Sequence, residues 1–243
     1  MNSRLSFGLA AGAISALAML AQTAPVTLDQ PKLSTHAGLP AHNPPGIPLV
    51  QLMSQSKAAA PSRGVVWKGL SIVGSDDESV SPTAPVSKLL LEQYAKQACR
   101  ADAIVVGHPT QSAFHLSASG TGIYGDYIFS VESIVKDNTS ATLRQTPQII
   151  VTRPGGSLTL SDGPVTLDLK AFPKLESDRT YLMFLRHLPQ TSGYSIIDSL
   201  STLVARDTQW MIARGAFLDS VLPELLRGSF EATITTSWLT RCK

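Results

Sequence analysis

The sequence lacks the motifs that mark the common catalytic classes. It has no Gly-x-Ser-x-Gly nucleophile motif, no His-Glu-x-x-His motif, no phosphate-binding glycine loop ending in Lys-Ser/Thr and no Cys-x-x-Cys pair. Aromatic residues make up only 6% of the chain and the net charge is only +2. These values disfavour base-stacking platforms and a groove that follows a phosphate backbone. We therefore predict no cofactor and no nucleic-acid partner.

Cysteine is also scarce, with only Cys99 and Cys242 in 243 residues. In an oxidising compartment, two cysteines that bracket a domain suggest a disulfide that joins its ends. The alternative is two separate thiols. We predict the Cys99–Cys242 bridge.

The N-terminus is typical of an exported protein. Arg4 precedes an uncharged run, residues 5–21, that is rich in Ala, Leu and Gly. This pattern predicts a secretory signal peptide over residues 1–24 and a secreted or periplasmic protein. A retained membrane anchor is the alternative, but glycine and serine dilute the run and it is short for a span, so we expect no stable membrane span after signal removal.

Residues 25–85 have the composition of a linker. They hold nine of the 16 prolines, and proline at this density disfavours both helix and sheet. We expect this proline-rich linker to be mostly disordered. Its apolar interruption, residues 65–73, predicts a strand that docks on the folded domain, and a short partner-binding element is the alternative.

The folded domain is predicted over residues 86–243. Apolar residues recur at helical spacing over residues 86–99, which predicts an amphipathic helix. Two clear strands follow at residues 126–136 and 149–153, predicted as antiparallel neighbours, and the second ends at Pro154-Gly155-Gly156. Alternation in the first of these strands places Lys136 on its polar face. Further strands are predicted over residues 101–107, where Gly107 ends the strand, and over residues 165–169, 181–188 and 194–198, and residues 202–205 and 209–212 are candidates for one or two more. A terminal helix is predicted over residues 217–226, with Gly228 as its stop.

The fold class is accordingly mainly β with flanking helices. Six to eight short strands without intervening helices must pair mostly antiparallel, and that number in about 150 residues favours closure. We predict a small antiparallel, OB-like β-barrel or sandwich, flanked by an N-terminal and a C-terminal helix.

One weak group of candidate site residues exists. His108 and His115 lie seven residues apart on a glycine-rich connection, and Asp126 follows it. Two imidazoles and a carboxylate can bind a metal, but no third ligand stands at a defined spacing, so a surface loop is the favoured interpretation. A hydrolase or metal-dependent enzyme that uses these three residues is therefore only an alternative.

Several segments together resemble a group of uncharacterised exported bacterial proteins. The segments are residues 101–107 (ADAIVVG), 127–132 (YIFSVE) with Lys136, 151–156 (VTRPGG), 181–186 (YLMFLR) and Gly193-Tyr194. Their order is also distantly similar to the OB-type barrel of netrin and tissue-inhibitor-of-metalloproteinase modules, which implies such a barrel here. Those inhibitors begin with a cysteine and contain several disulfides, so the resemblance does not imply protease inhibition.

The function hypothesis is an exported, non-enzymatic module that binds a protein or a cell-envelope ligand. It depends on the signal, the linker and the missing catalytic motifs. A structural component of the cell envelope is a further alternative.

Overall fold

The computed structural model describes residues 47–63, 66–74, 86–139, 143, 147–169, 171–191, 193–212 and 227–242. The predicted signal peptide (residues 1–24) and the predicted helix over residues 217–226 lie outside these ranges. Among the described residues, no helix is both long enough and apolar enough to cross a membrane.

The described elements are mainly strands, as predicted. The helices are α1 (Leu49–Ala59), α2 (Val86–Arg100) and α3 (Arg227–Thr233). The strands are β1 (Leu70–Gly74), β2 (Ala103–Leu116), β3 (Ile123–Asp137), β4 (Gln148–Pro154), β5 (Gly156–Leu160), β6 (Gly163–Leu169), β7 (Tyr181–Leu188), β8 (Gly193–Ile196), β9 (Thr202–Arg206) and β10 (Gln209–Ile212). Ten strands are thus described, where six to eight were predicted.

Five strands form a closed ring. The seven-stranded sheet has the order β10-β9-β7-β2-β3-β4-β8, and an additional pairing of β8 with β7 joins β2, β3, β4, β8 and β7 into a circle. Closure is uneven, because only two residue pairs join β4 to β8 whereas seven join β3 to β4. The predicted antiparallel pairing of β3 with β4 is confirmed, and the ring agrees with the OB-like barrel.

Part of the predicted linker is folded. Helix α1 buries Leu49 and Met53, and β1 pairs in parallel with β6 in a small second sheet of order β1-β6-β5. The prediction of a docked strand is confirmed. The expectation of disorder is wrong for α1, because no proline lies within its eleven residues and its two buried side chains, Leu49 and Met53, reach the core beneath the small sheet.

Strands β2 and β3 are longer than predicted and are buried on both faces near the middle of the ring. Ala103 and Val105 face the ring interior, while Ile104 and Val106 face a second core against α2. Gly107 does not end the strand. A Cβ at Gly107 would lie 1.9 Å from the Ser130 carbonyl oxygen, so this position requires glycine for close contact between strands.

Irregular pairing between β2 and β3 changes which side chains of β3 are buried. Register shifts interrupt the β2–β3 ladder, and between Ile104 and Val105 its partner changes from Lys136 to Ile134. Such a bulge reverses the direction of the following side chains. As a result Lys136, predicted on the polar face, is only 8% exposed.

The chain terminus packs on α2. Phe230 on α3 makes edge-to-face ring contacts with Tyr94 of α2 and with Trp238. The predicted stop at Gly228 is wrong, because Gly228 lies inside α3. The predicted disulfide between Cys99 and Cys242 is confirmed and joins the end of α2 to this terminal segment.

Candidate functional site

His108, His115 and Asp126 do not converge. They lie on the β2–β3 hairpin and not on a surface loop, so the favoured interpretation of that connection was wrong. The two histidines are seven residues apart on one strand, which separates them by roughly 20 Å. The Nδ1 atom of His108 lies 2.8 Å from Oε1 of Glu132, whereas His115 lies beside Asp126. Within the described ranges, no group of three or more His, Cys, Asp and Glu side chains could hold a metal.

His115 and Asp126 belong to a buried polar row across three strands. The Nδ1 atom of His115 on β2 lies 3.8 Å from Oδ2 of Asp126 on β3. Thr152 on β4 donates a hydrogen bond of 2.6 Å to Oδ1 of Asp126. This contact fixes the carboxylate within the sheet. Burial lowers the pKa of His115 to about 4.

The lowered pKa of His115 predicts acid sensitivity. Between pH 6.5 and about 4 the unfolded chain protonates this imidazole and the folded chain does not. The free energy of unfolding should therefore fall as the pH falls through this window, by about 2 kcal/mol after allowance for solvent screening. Urea denaturation at a series of pH values measures this change.

The matched variants are His115→Gln and His108→Gln. The first should flatten the stability profile between pH 6.5 and 4, while the second removes an imidazole from the same strand and controls for the histidine-to-glutamine change itself. Equal profiles for all three proteins would contradict the assignment to His115.

A more suitable candidate site lies at one end of the barrel, where residues 171–180 connect β6 to β7. We call these residues the capping segment. Leu175 points inward and packs in the barrel core at 4% exposure. The charged residues of the segment, Lys174, Glu176, Asp178 and Arg179, are all exposed. The segment thus closes the barrel with Leu175, beside the partly buried Phe172, and presents charges outward.

Three side chains of the barrel hold the backbone of the capping segment. Nη1 of Arg153 on β4 donates a 2.8 Å hydrogen bond to the Pro173 carbonyl oxygen. The backbone N–H of Glu176 donates a 2.8 Å hydrogen bond to the Tyr181 hydroxyl on β7. A backbone hydrogen bond from Leu175 reaches the Tyr127 hydroxyl on β3. Side chains from three strands therefore contact the backbone of Pro173, Leu175 and Glu176 in an otherwise irregular segment.

Arg153 is the least expected member of this set. Its side chain is 2% exposed, and the part of the chain that the structure describes places no carboxylate in an ion pair with it. Burial lowers the pKa of Arg153 to about 10, and the neighbouring hydroxyls of Tyr127 and Tyr181 oppose this change. The guanidinium remains charged at neutral pH, so a buried cation supports the capping segment.

Concave surfaces border the capping segment. One cavity of about 550 Å³ lies between the segment and the β9–β10 hairpin. A second, of about 540 Å³, lies between it and residues 109–112 of β2, and a third, of about 270 Å³, lies beside Phe114 and β5. Lys174 lines all three. The capping segment is therefore a fixed ridge between concave surfaces.

Sequence patterns did not identify this site. The motif segments contain Arg153, Tyr127 and Tyr181, but alternation assigned them only to strands. Arg153 hydrogen-bonds to a residue 20 positions away, and no local pattern reports such a contact. The available signal was an arginine directly before the Pro154-Gly155-Gly156 corner, where Gly155 and Gly156 have positive φ angles of 93° and 131°.

Compared with protein-family models, with curated proteins and with solved structures, the chain gives no significant match, so a function can be inferred only from the site itself.

Proposed function

We propose that this protein is an exported, non-enzymatic binding module that recognises a protein or a cell-envelope ligand with its capping segment. The observation that carries the proposal is the exposed, charged ridge that Arg153, Tyr127 and Tyr181 hold from inside the barrel. Binding residues are commonly placed on loops that a rigid scaffold positions, because little conformational entropy is then lost on association.

Export is supported by two independent features. The N-terminal sequence has the pattern of a secretory signal, and the disulfide between Cys99 and Cys242 is of the kind that persists in oxidising compartments.

Site-specific photocrosslinking tests the proposal. A photoreactive residue replaces exposed Ser177 in the capping segment, and a matched control replaces exposed Glu92 on α2. In the cell-envelope fraction of the producing organism, position 177 should give a discrete adduct and position 92 should not. Adding Lys174→Glu and Asp178→Lys at the ridge should reduce the adduct at least tenfold, because both charges reverse.

Three results would contradict the proposal: no adduct at position 177, equal adducts at both positions, or an adduct unaffected by the charge reversals. Equal adducts at both positions would instead favour a structural component that is contacted on all sides.

A further inference from the structure

The cavity between the capping segment and the β9–β10 hairpin has the form of a small-molecule site. Its volume of about 550 Å³ is within the range of ligand pockets. Val204, Met211 and Ile212 supply an apolar wall. Met211 and Ile212 are each 6% exposed, so this wall is part of a packed sheet and not a mobile surface.

The rim of the same cavity is cationic. Lys174, Arg179 and Arg206 line it, and Glu176 is the acidic residue among its lining groups. Glu176 forms an ion pair with Arg179. This pairing leaves Lys174 and Arg206 as the excess charge, and a cavity lined by one sign of charge attracts ligands of the other sign.

The Tyr181 hydroxyl adds a hydrogen-bond donor to the lining of the cavity. Tyr181 lines the cavity, and its hydroxyl oxygen accepts from the Glu176 backbone, which leaves the hydroxyl proton to donate. A hydroxyl donor beside a cationic rim favours an oxyanion as the bound group, because hydrogen bonds to an ionised acceptor are stronger than those to a neutral one.

We propose that this cavity binds an organic oxyanion with an apolar chain, the anionic group on the cationic rim and Tyr181 and the chain along Val204 and Met211. The inference deepens the proposed function, because the cavity borders the capping segment, and it specifies one class of ligand for that site. The apolar wall and the cationic rim must both contact the ligand, because neither surface encloses a ligand by itself.

A fluorescence titration tests the inference with defined probes. The full chain is titrated with 8-anilinonaphthalene-1-sulfonate, an anion with an apolar body, and bound probe is then competed with octanoate, octylammonium or inorganic phosphate. Octanoate should displace the probe, while octylammonium and phosphate at equal concentration should not. Displacement by octylammonium would show a merely apolar site, and displacement by phosphate a merely ionic one, and either result would overturn the inference.

Charge-removing variants localise the binding. Lys174→Gln with Arg206→Gln should raise the Kd of the probe about tenfold, because the two unpaired rim charges are lost. Arg63→Gln with Arg186→Gln is the matched control, since both are exposed and neither lines the cavity; its Kd should change less than twofold. Equal Kd values for the two double variants would overturn the assignment to this cavity.

The two proposals can fail separately. If the probe does not bind while the adduct at position 177 persists, the ligand class is wrong and the binding function stands. If the probe binds but position 177 gives no adduct, the cavity is a small-molecule site and recognition through the exposed ridge is wrong.

Discussion

The double variant Cys99→Ser, Cys242→Ser should lose about 5 kcal/mol of unfolding free energy relative to the oxidised protein. The bridge closes a loop of 143 residues, and the chain-entropy treatment assigns about this value to a loop of that length. For a domain of this size the loss corresponds to a decrease in Tm of roughly 10–20 °C. Urea denaturation followed by circular dichroism measures it directly.

Reduction provides the control for the disulfide prediction. A reductant should lower the unfolding midpoint of the unaltered protein to that of the double variant. The midpoint of the double variant should not change on reduction. Amides of the terminal segment, residues 234–241, should also exchange faster in the variant, because this segment is joined to α2 by the bridge. Identical midpoints for the oxidised protein and the variant would refute the prediction.

Lys136→Met should destabilise the fold by about 3 kcal/mol. The ammonium group of Lys136 is buried and donates to the carbonyl oxygens of Ala98, Cys99 and Ala101, at 2.8, 3.2 and 2.6 Å. These carbonyls lie at the C-terminal end of α2, where helical carbonyls lack partners and the helix dipole favours a cation. Methionine keeps the apolar stem but leaves the acceptors buried without donors.

Two further lysine variants test the geometry. Lys96→Met, on the exposed face of α2, should change stability by less than about 0.5 kcal/mol. Lys136→Arg should give an intermediate loss, because a planar guanidinium cannot direct three donors as the ammonium does. If Lys136→Met and Lys96→Met unfold at the same urea concentration, the carbonyl contacts do not contribute to stability.

The disulfide and Lys136 act on the same helix end. Nζ of Lys136 contacts the carbonyl of Cys99, and Cys99 carries the bridge to Cys242. Because the two groups share a residue, the losses measured for the variants should not be additive when the changes are combined. Both groups fix the end of α2 on the barrel, and β2 begins three residues after that helix ends.

Local sequence patterns were sufficient to predict most strands of the sheet. Apolar periodicity gave α2 within one residue of its end and β7 with both ends correct, and it also located β6, β8, β9 and β10. The Pro154-Gly155-Gly156 corner was identified because proline and positive φ are properties of single residues. Strand β5 was missed, since its five residues alternate weakly between intermediate and exposed positions.

The candidate site could not be predicted in the same way. The pattern placed His108 and His115 on a loop because three glycines lay nearby, yet Gly125 is needed within β3 for the close packing of Phe114 and Tyr127. It placed Lys136 on a polar face because strict alternation does not include bulges. In both cases contact with another strand overrode the local preference.

The sequence by itself determined that the domain is mainly β, that α2 precedes the sheet and that its cysteines could join the ends, because periodicity, turn residues and composition are recorded locally. Only the tertiary structure decided that five strands close into a ring, that α1 packs beneath the second sheet and that Arg153, Tyr127 and Tyr181 hold residues 173–176. Those arrangements join side chains from separate strands, and their free energy arises only when closure of the barrel brings the strands together.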